Sequence, residues 1–110
     1  NRGGLKIASI AVEAALLEHP AVAEAAVVGV PHEALGEDVA ACLVMRPGAG
    51  ETAETIRAFL APRLADYEIP RRVLFLDALP RNPMGKVLKA DLRARAADPA
   101  RGERAPTAGG

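Results

Sequence analysis

Pro80-Arg81-Asn82-Pro83-Met84-Gly85-Lys86-Val87-Leu88-Lys89 holds two prolines and a glycine within its first six positions. Proline fixes φ and lacks an N–H, and glycine loosens the backbone, so this stretch continues neither helix nor strand and lies at the surface. Lys86 then sits on an exposed tip. An ammonium on a four-carbon stem offers three donors and one charge, which suits a carboxylate or phosphate oxygen approached from outside the domain. Taken alone, the same features favour a solvated surface lysine.

Outward from this loop the chain divides into short segments. Val73-Leu74-Phe75-Leu76 precedes it as a strand, and Leu88 to about Ala97 follows as a helix with Arg93 and Arg95 outward. Further upstream, Thr52 opens a helix whose face carries Ile56, Phe59, Leu60 and Leu64, and Pro62 kinks or shortens it. Val22 to Val30 is apolar but for Glu24 and reads as a strand buried on both faces. Pro31 to Glu37 makes a turn, and Asp38 to Arg46 a second strand pairing antiparallel with the first. Val39, Leu43 and Met45 line one side of it and Ala40, Cys42 and Val44 the other. Ser9 caps a helix from about Ile10 to Glu18, with Ile10, Ala14 and Leu17 on one face and Glu13 in the first turn. The glycine pair Gly3-Gly4 makes a tight turn into a short strand.

Composition narrows the function classes. A chain of 110 residues is one domain. Half the residues are hydrophobic, yet 24 of them are alanine, so leucine, valine and isoleucine supply most of a modest core. Fourteen basic residues balance fourteen acidic ones, which argues against steering to nucleic acid and for a small-molecule or protein partner. Arg93, Arg95, Arg101 and Arg104 lack the aromatic interleaving of a nucleic-acid surface. No apolar run of membrane-spanning length and no leader pattern occurs. A single cysteine, Cys42, excludes an internal disulfide and reads as a core filler, fitting a reducing cytoplasm. His19 and His32 fall in turns without metal-ligand spacing and read as surface residues, so no metal site is expected. Asp98 to Gly110 is Pro, Gly, Ala and charge, with too little apolar surface to order itself.

Leu79-Pro80, four residues, Gly85-Lys86-Val87, then Lys89 and Leu92-Arg93 resembles the last motif of the adenylate-forming enzymes. That superfamily holds acyl-CoA synthetases, aryl-acid ligases, luciferases and peptide-synthetase adenylation domains. A second motif of the family opens the chain as Asn1-Arg2-Gly3-Gly4-Leu5-Lys6-Ile7, followed by Val12-Glu13 and His19-Pro20-Ala21-Val22. Val30-Pro31, Leu35-Gly36-Glu37 and Tyr67-Glu68-Ile69-Pro70 lie between them in the family's order. Ser9, Ala11 and Glu68 depart from the usual proline, acidic and basic residues.

The resemblance implies a small mobile C-terminal α+β domain over residues 1–97, with 98–110 a disordered tail. Its sheet has about three strands, mainly antiparallel, with flanking helices and a short N-terminal β-turn element. Its parent enzyme activates a fatty or aryl acid as acyl-AMP with ATP and Mg²⁺, then passes the acyl group to coenzyme A. These ligands are held together with an N-terminal domain upstream of Asn1, the hinge lying just before that residue. A start inside a motif fits a fragment that is inactive alone. Lys86 is the implied catalytic residue of adenylation. Gly3, Gly4, Lys6 and Gly85 are the implied substrate and coenzyme A contacts, the glycine loop bordering the thiol's path in the second half-reaction. A peptide-synthetase adenylation domain is the near alternative, and a free-standing α+β binding module the alternative of another class.

Overall fold

The computed structural model describes residues 2–32 and 36–97. Helix α1 (Arg2–Leu17) leads into strand β1 (Val22–His32), which turns back into β2 (Gly36–Met45). Helix α2 (Ala53–Leu60) and a 3₁₀ turn (Asp66–Glu68) carry the chain to β3 (Arg72–Phe75), and α3 (Lys89–Ala97) closes the described chain. The sheet order is β1-β2-β3. β1 pairs antiparallel with β2, from Val22 opposite Met45 to His32 opposite Gly36, and β3 adds parallel to β2. The fold is the expected α+β arrangement, with a mixed sheet. The parallel pairing follows from the long β2–α2–β3 connection, which returns the chain to the same end of the sheet.

Alternation along the strands, shifted once in β1 at the irregularity between Val22 and Glu24, divides the core in two. On one face Val27, Val39, Ala41, Leu43 and Val73 meet Val12 and Leu16 of α1 and Ile56 and Leu60 of α2. On the other, Ala26, Val28, Ala40, Cys42 and Leu74 meet Leu92 and Ala96 of α3. β1 is therefore buried on both faces, as its sequence predicts. Cys42 is fully buried, and that burial pushes its thiol up to about 11 against the opposing charges of Arg95 and Arg72.

Helix α2 begins where Thr52 caps it, the Thr52 hydroxyl accepting the Thr55 N–H at 3.2 Å. It ends at Leu60, two residues before Pro62.

The N-terminal segment differs from expectation. In place of a β-turn element, Arg2 to Ile10 is the first half of α1. Gly3 and Gly4 occupy the first turn, where N–H groups have no intrahelical partner anyway, and packing of the later turns sustains the helix. The buried stripe of α1 is Val12, Ala15 and Leu16, whereas Ile10 and Leu17 stand exposed. Both stripes have helical spacing; Glu13 selects between them, because only one rotation carries its carboxylate to the partners described below. His19 is also more enclosed than its turn position suggests. Its ring packs 4.6 Å from Phe59, its Nδ1 accepts the Ala21 N–H, and its side chain is 11% exposed. The His32 side chain, the 33–35 part of the expected turn and the expected 98–110 tail lie outside the described residues.

Candidate active-site loop

The loop between β3 and α3 is anchored at both ends. Leu79 is buried at its start, and Val87 packs against the α3-side core near its end. The Leu88 N–H donates to the Pro80 carbonyl at 2.8 Å, and Arg81 and Val87 form an antiparallel bridge. Between these clamps the chain makes a β-turn, with the Gly85 N–H donating to the Asn82 carbonyl at 2.9 Å. Pro83 supplies the fixed φ of the turn's second position. Gly85 leaves it with φ +88°, in the region where a Cβ is disfavoured.

Side chains complete the frame. The Asn82 Oδ1 accepts the N–H groups of Met84 at 2.9 Å and Lys86 at 3.0 Å. The Arg81 guanidinium donates to the Gly85 carbonyl at 2.8 Å and also pairs with Glu24 on β1, which ties the tip to the sheet. Lys86 is exposed, and its ammonium has no partner among the described residues. The result is a cation on a hydrogen-bonded frame, its N–H donors able to meet a carboxylate or phosphate oxygen.

Just past the tip, Lys89 at the start of α3 donates to Glu13 Oε2 at 2.8 Å. The same oxygen accepts the Val27 N–H at 2.8 Å, on the edge of β1 that no strand covers among the described residues. Helices α1 and α3 are thus fixed to one strand through one carboxylate.

Of the residues expected at the site, Gly85 and Lys86 share this loop. Gly3, Gly4 and Lys6 lie in the first two turns of α1, a different element. Asn82, Arg81, Glu24, Glu13 and Lys89 are site-building residues that the motif reading did not assign. Asn followed by Pro-x-Gly is a turn signal that pointed to Asn82. Glu13, the only charge between Ile10 and Leu17, was the corresponding signal in α1. Among the described residues no three His, Cys, Asp or Glu side chains converge to hold a metal ion, and no helix is long and apolar enough to cross a membrane.

Residues 11–86 match the family described as AMP-binding enzyme C-terminal domain. The chain is 46% identical over 84 residues to the fatty acid–acyl-carrier-protein ligase ScoC of Streptomyces coeruleorubidus, covering 76% of this chain and 16% of that protein. It is 47% identical over 91 residues to the 4-chlorobenzoate–CoA ligase of Pseudomonas sp. (strain CBS-3), covering 82% and 17%. The solved amide bond synthetase McbA of Marinactinospora thermotolerans superposes with a TM-score of 0.78 at 43% identity, over 82% of this chain and 18% of that one. The chain spans less than a fifth of the length of these relatives. By the extent of the family match, by its fold and by its Gly85-Lys86 loop, the chain belongs to the AMP-binding enzyme C-terminal domains, the adenylate-forming group that residues 80–89 resemble.

Proposed function

We propose that this domain is the mobile C-terminal lid of a cytoplasmic, ATP-dependent acid–CoA ligase, working against an N-terminal domain that holds ATP and the carboxylic acid. Lys86 carries the reading. When the acid attacks the α-phosphate, negative charge builds across carboxylate and phosphoryl oxygens, and a cation held in a closed site stabilises it. An ammonium without a partner among the described residues, on a braced tip, is suited to that task. Mg²⁺ finds no ligand set among the described residues, so its ligands would come from the other domain and from ATP.

The second half-reaction needs a path for a long thiol, which the Gly3-Gly4 end of α1 would border. Lys86 and the glycine pair sit on different elements, so rotation of the whole domain would present each in turn. Coenzyme A as acceptor is supported by the naming of relatives such as the 4-chlorobenzoate–CoA ligase. A carrier-protein thiol is the second reading, favoured by the similarity to ScoC.

The test is ATP–pyrophosphate exchange by the polypeptide joined to its upstream domain, with decanoate, palmitate, benzoate and 4-chlorobenzoate, beside Lys86→Ala. Exchange that depends on one acid and collapses in the variant is expected. Exchange untouched by the substitution removes Lys86 from the chemistry, and none with any acid returns the domain to a binding module.

A further inference from the structure

We infer that Asn82 is a positioning residue for Lys86, fixing the lysine's backbone so that its ammonium meets the reacting oxygens in one geometry; this rests on the adenylation role proposed for Lys86. Both backbone polar groups of Lys86 end on Asn82. The Lys86 N–H donates to Asn82 Oδ1 at 3.0 Å, and the Lys86 carbonyl accepts the Asn82 N–H at 2.9 Å. The same Oδ1 takes the Met84 N–H at 2.9 Å, so the turn is held from inside by one oxygen.

Nothing apolar does this work. Met84 is 90% exposed and Lys86 is exposed, so no packing restrains the tip, and its order comes from hydrogen bonds. The other bonds act elsewhere. The Arg81 bond to the Gly85 carbonyl and the Arg81–Val87 bridge close the base of the loop without touching the N–H groups of Met84 and Lys86. Among the described residues only the Asn82 side chain reaches those two. A serine hydroxyl at this position accepts more weakly and over a shorter reach, and alanine accepts nothing. The loop should therefore close in all three proteins, with Lys86 held in the order Asn, Ser, Ala.

The experiment compares Asn82→Ser, Asn82→Ala and Lys86→Ala in the polypeptide joined to its upstream domain. It reads ATP–pyrophosphate exchange with the acid that supports it, thermal unfolding, and hydrogen exchange at the Met84 and Lys86 amides. Asn82→Ala is expected to lower the exchange kcat about 10- to 100-fold, as for a misplaced catalytic group, with KM for ATP little moved. Asn82→Ser is expected to fall between, and both amides to exchange faster in the same order at a nearly unchanged melting temperature. Wild-type kcat in Asn82→Ala beside an inactive Lys86→Ala overturns the positioning role and leaves the adenylation reading standing. Equal losses in Ser and Ala that follow a lowered melting temperature also overturn it, reducing Asn82 to a folding residue. A fully active Lys86→Ala overturns the adenylation reading, and the positioning role falls with it.

Discussion

Lys89 Nζ and Glu13 Oε2 lie 2.8 Å apart although 76 residues separate them in the chain, and the same carboxylate oxygen receives the Val27 N–H. Helix α1, the open edge of β1 and the start of α3 therefore meet at one atom. Helix α1, with Gly3-Gly4 in its first turn, and the helix that follows Lys86 are joined there, so the rotation proposed for the domain would carry both as a single body.

The two bonds at that oxygen are unequal, and the inequality is measurable. Lys89 is 40% exposed, which limits its ion pair to about 0–1 kcal/mol. The Val27 N–H is a backbone donor on a strand edge, and losing its acceptor costs about 1–3 kcal/mol where water cannot replace it. Glu13→Ala is therefore expected to destabilise the domain more than Lys89→Ala, with Glu13→Gln near the lysine variant because an amide oxygen still accepts from Val27. Urea unfolding of the three variants checks this ranking, and equal losses for Glu13→Ala and Lys89→Ala would contradict it.

Strain at Gly85 separates stability from function. Gly85 and Gly48 have φ values of +88° and +82°, and a Cβ on either would meet nothing within 4 Å. Alanine at either position is thus strained by backbone alone, by about 1–2 kcal/mol. Gly85→Ala and Gly48→Ala are expected to lower the melting temperature alike. Only Gly85→Ala, which displaces the neighbour of Lys86, is expected to depress pyrophosphate exchange. A matched loss of exchange in Gly48→Ala would show that the effect reports instability and not the loop.

How far the sequence discloses the molecule depends on the range of the interactions. The two sides of β2 can be assigned residue by residue from Val39 to Met45, because a period of two leaves no second choice. Helix α1 is ambiguous because Ile10 to Leu17 is apolar nearly all round, so the Ile10–Ala14–Leu17 and Val12–Ala15–Leu16 stripes are equally helical. The deciding contacts, from Glu13 to Val27 and Lys89, are tertiary. Gly3-Gly4 misleads in the same way, since local glycine preference yields to packing farther along the helix. Gly85 is visible from local turn chemistry, and Lys86 is set apart from an ordinary surface lysine only by the motif around it. The brace from Arg81 to Glu24 is not, because an ion pair across 57 residues leaves no mark in the local pattern.

Cys42 ties stability to alkaline pH. Its ordinary value is 9.0 and burial raises it to about 11 in the folded domain. Between these values the unfolded chain releases the thiol proton while the folded domain keeps it, so stability is full below pH 9 and falls as pH rises toward 11. The slope integrates to at most about 3 kcal/mol. Cys42→Ala removes this contribution and leaves every other titrating group in place. The wild-type loss of stability between pH 9 and 11, measured by denaturant unfolding, is expected to exceed the variant's. Parallel pH curves would mean that the thiol is not protected.

The division of labour proposed for Lys86 and Gly4 predicts opposite defects in the two half-reactions. Lys86→Ala is expected to lose acyl-adenylate formation while still converting supplied acyl-adenylate to thioester. Gly4→Leu is expected to adenylate and fail at thioester formation, because a branched side chain would obstruct the thiol's path. The helix supplies the control for the second variant. Gly4 lies in the first turn of α1, and leucine is the better helix former by somewhat under about 1 kcal/mol, so the substitution does not weaken the element that carries it. A thioesterification defect in Gly4→Leu at an undiminished melting temperature then reports obstruction and not unfolding. Single-turnover assays with ATP and acid, and separately with synthetic acyl-adenylate and coenzyme A, resolve the two steps. Equal impairment of both steps in both variants would mean that the two ends of the domain do not act in turn.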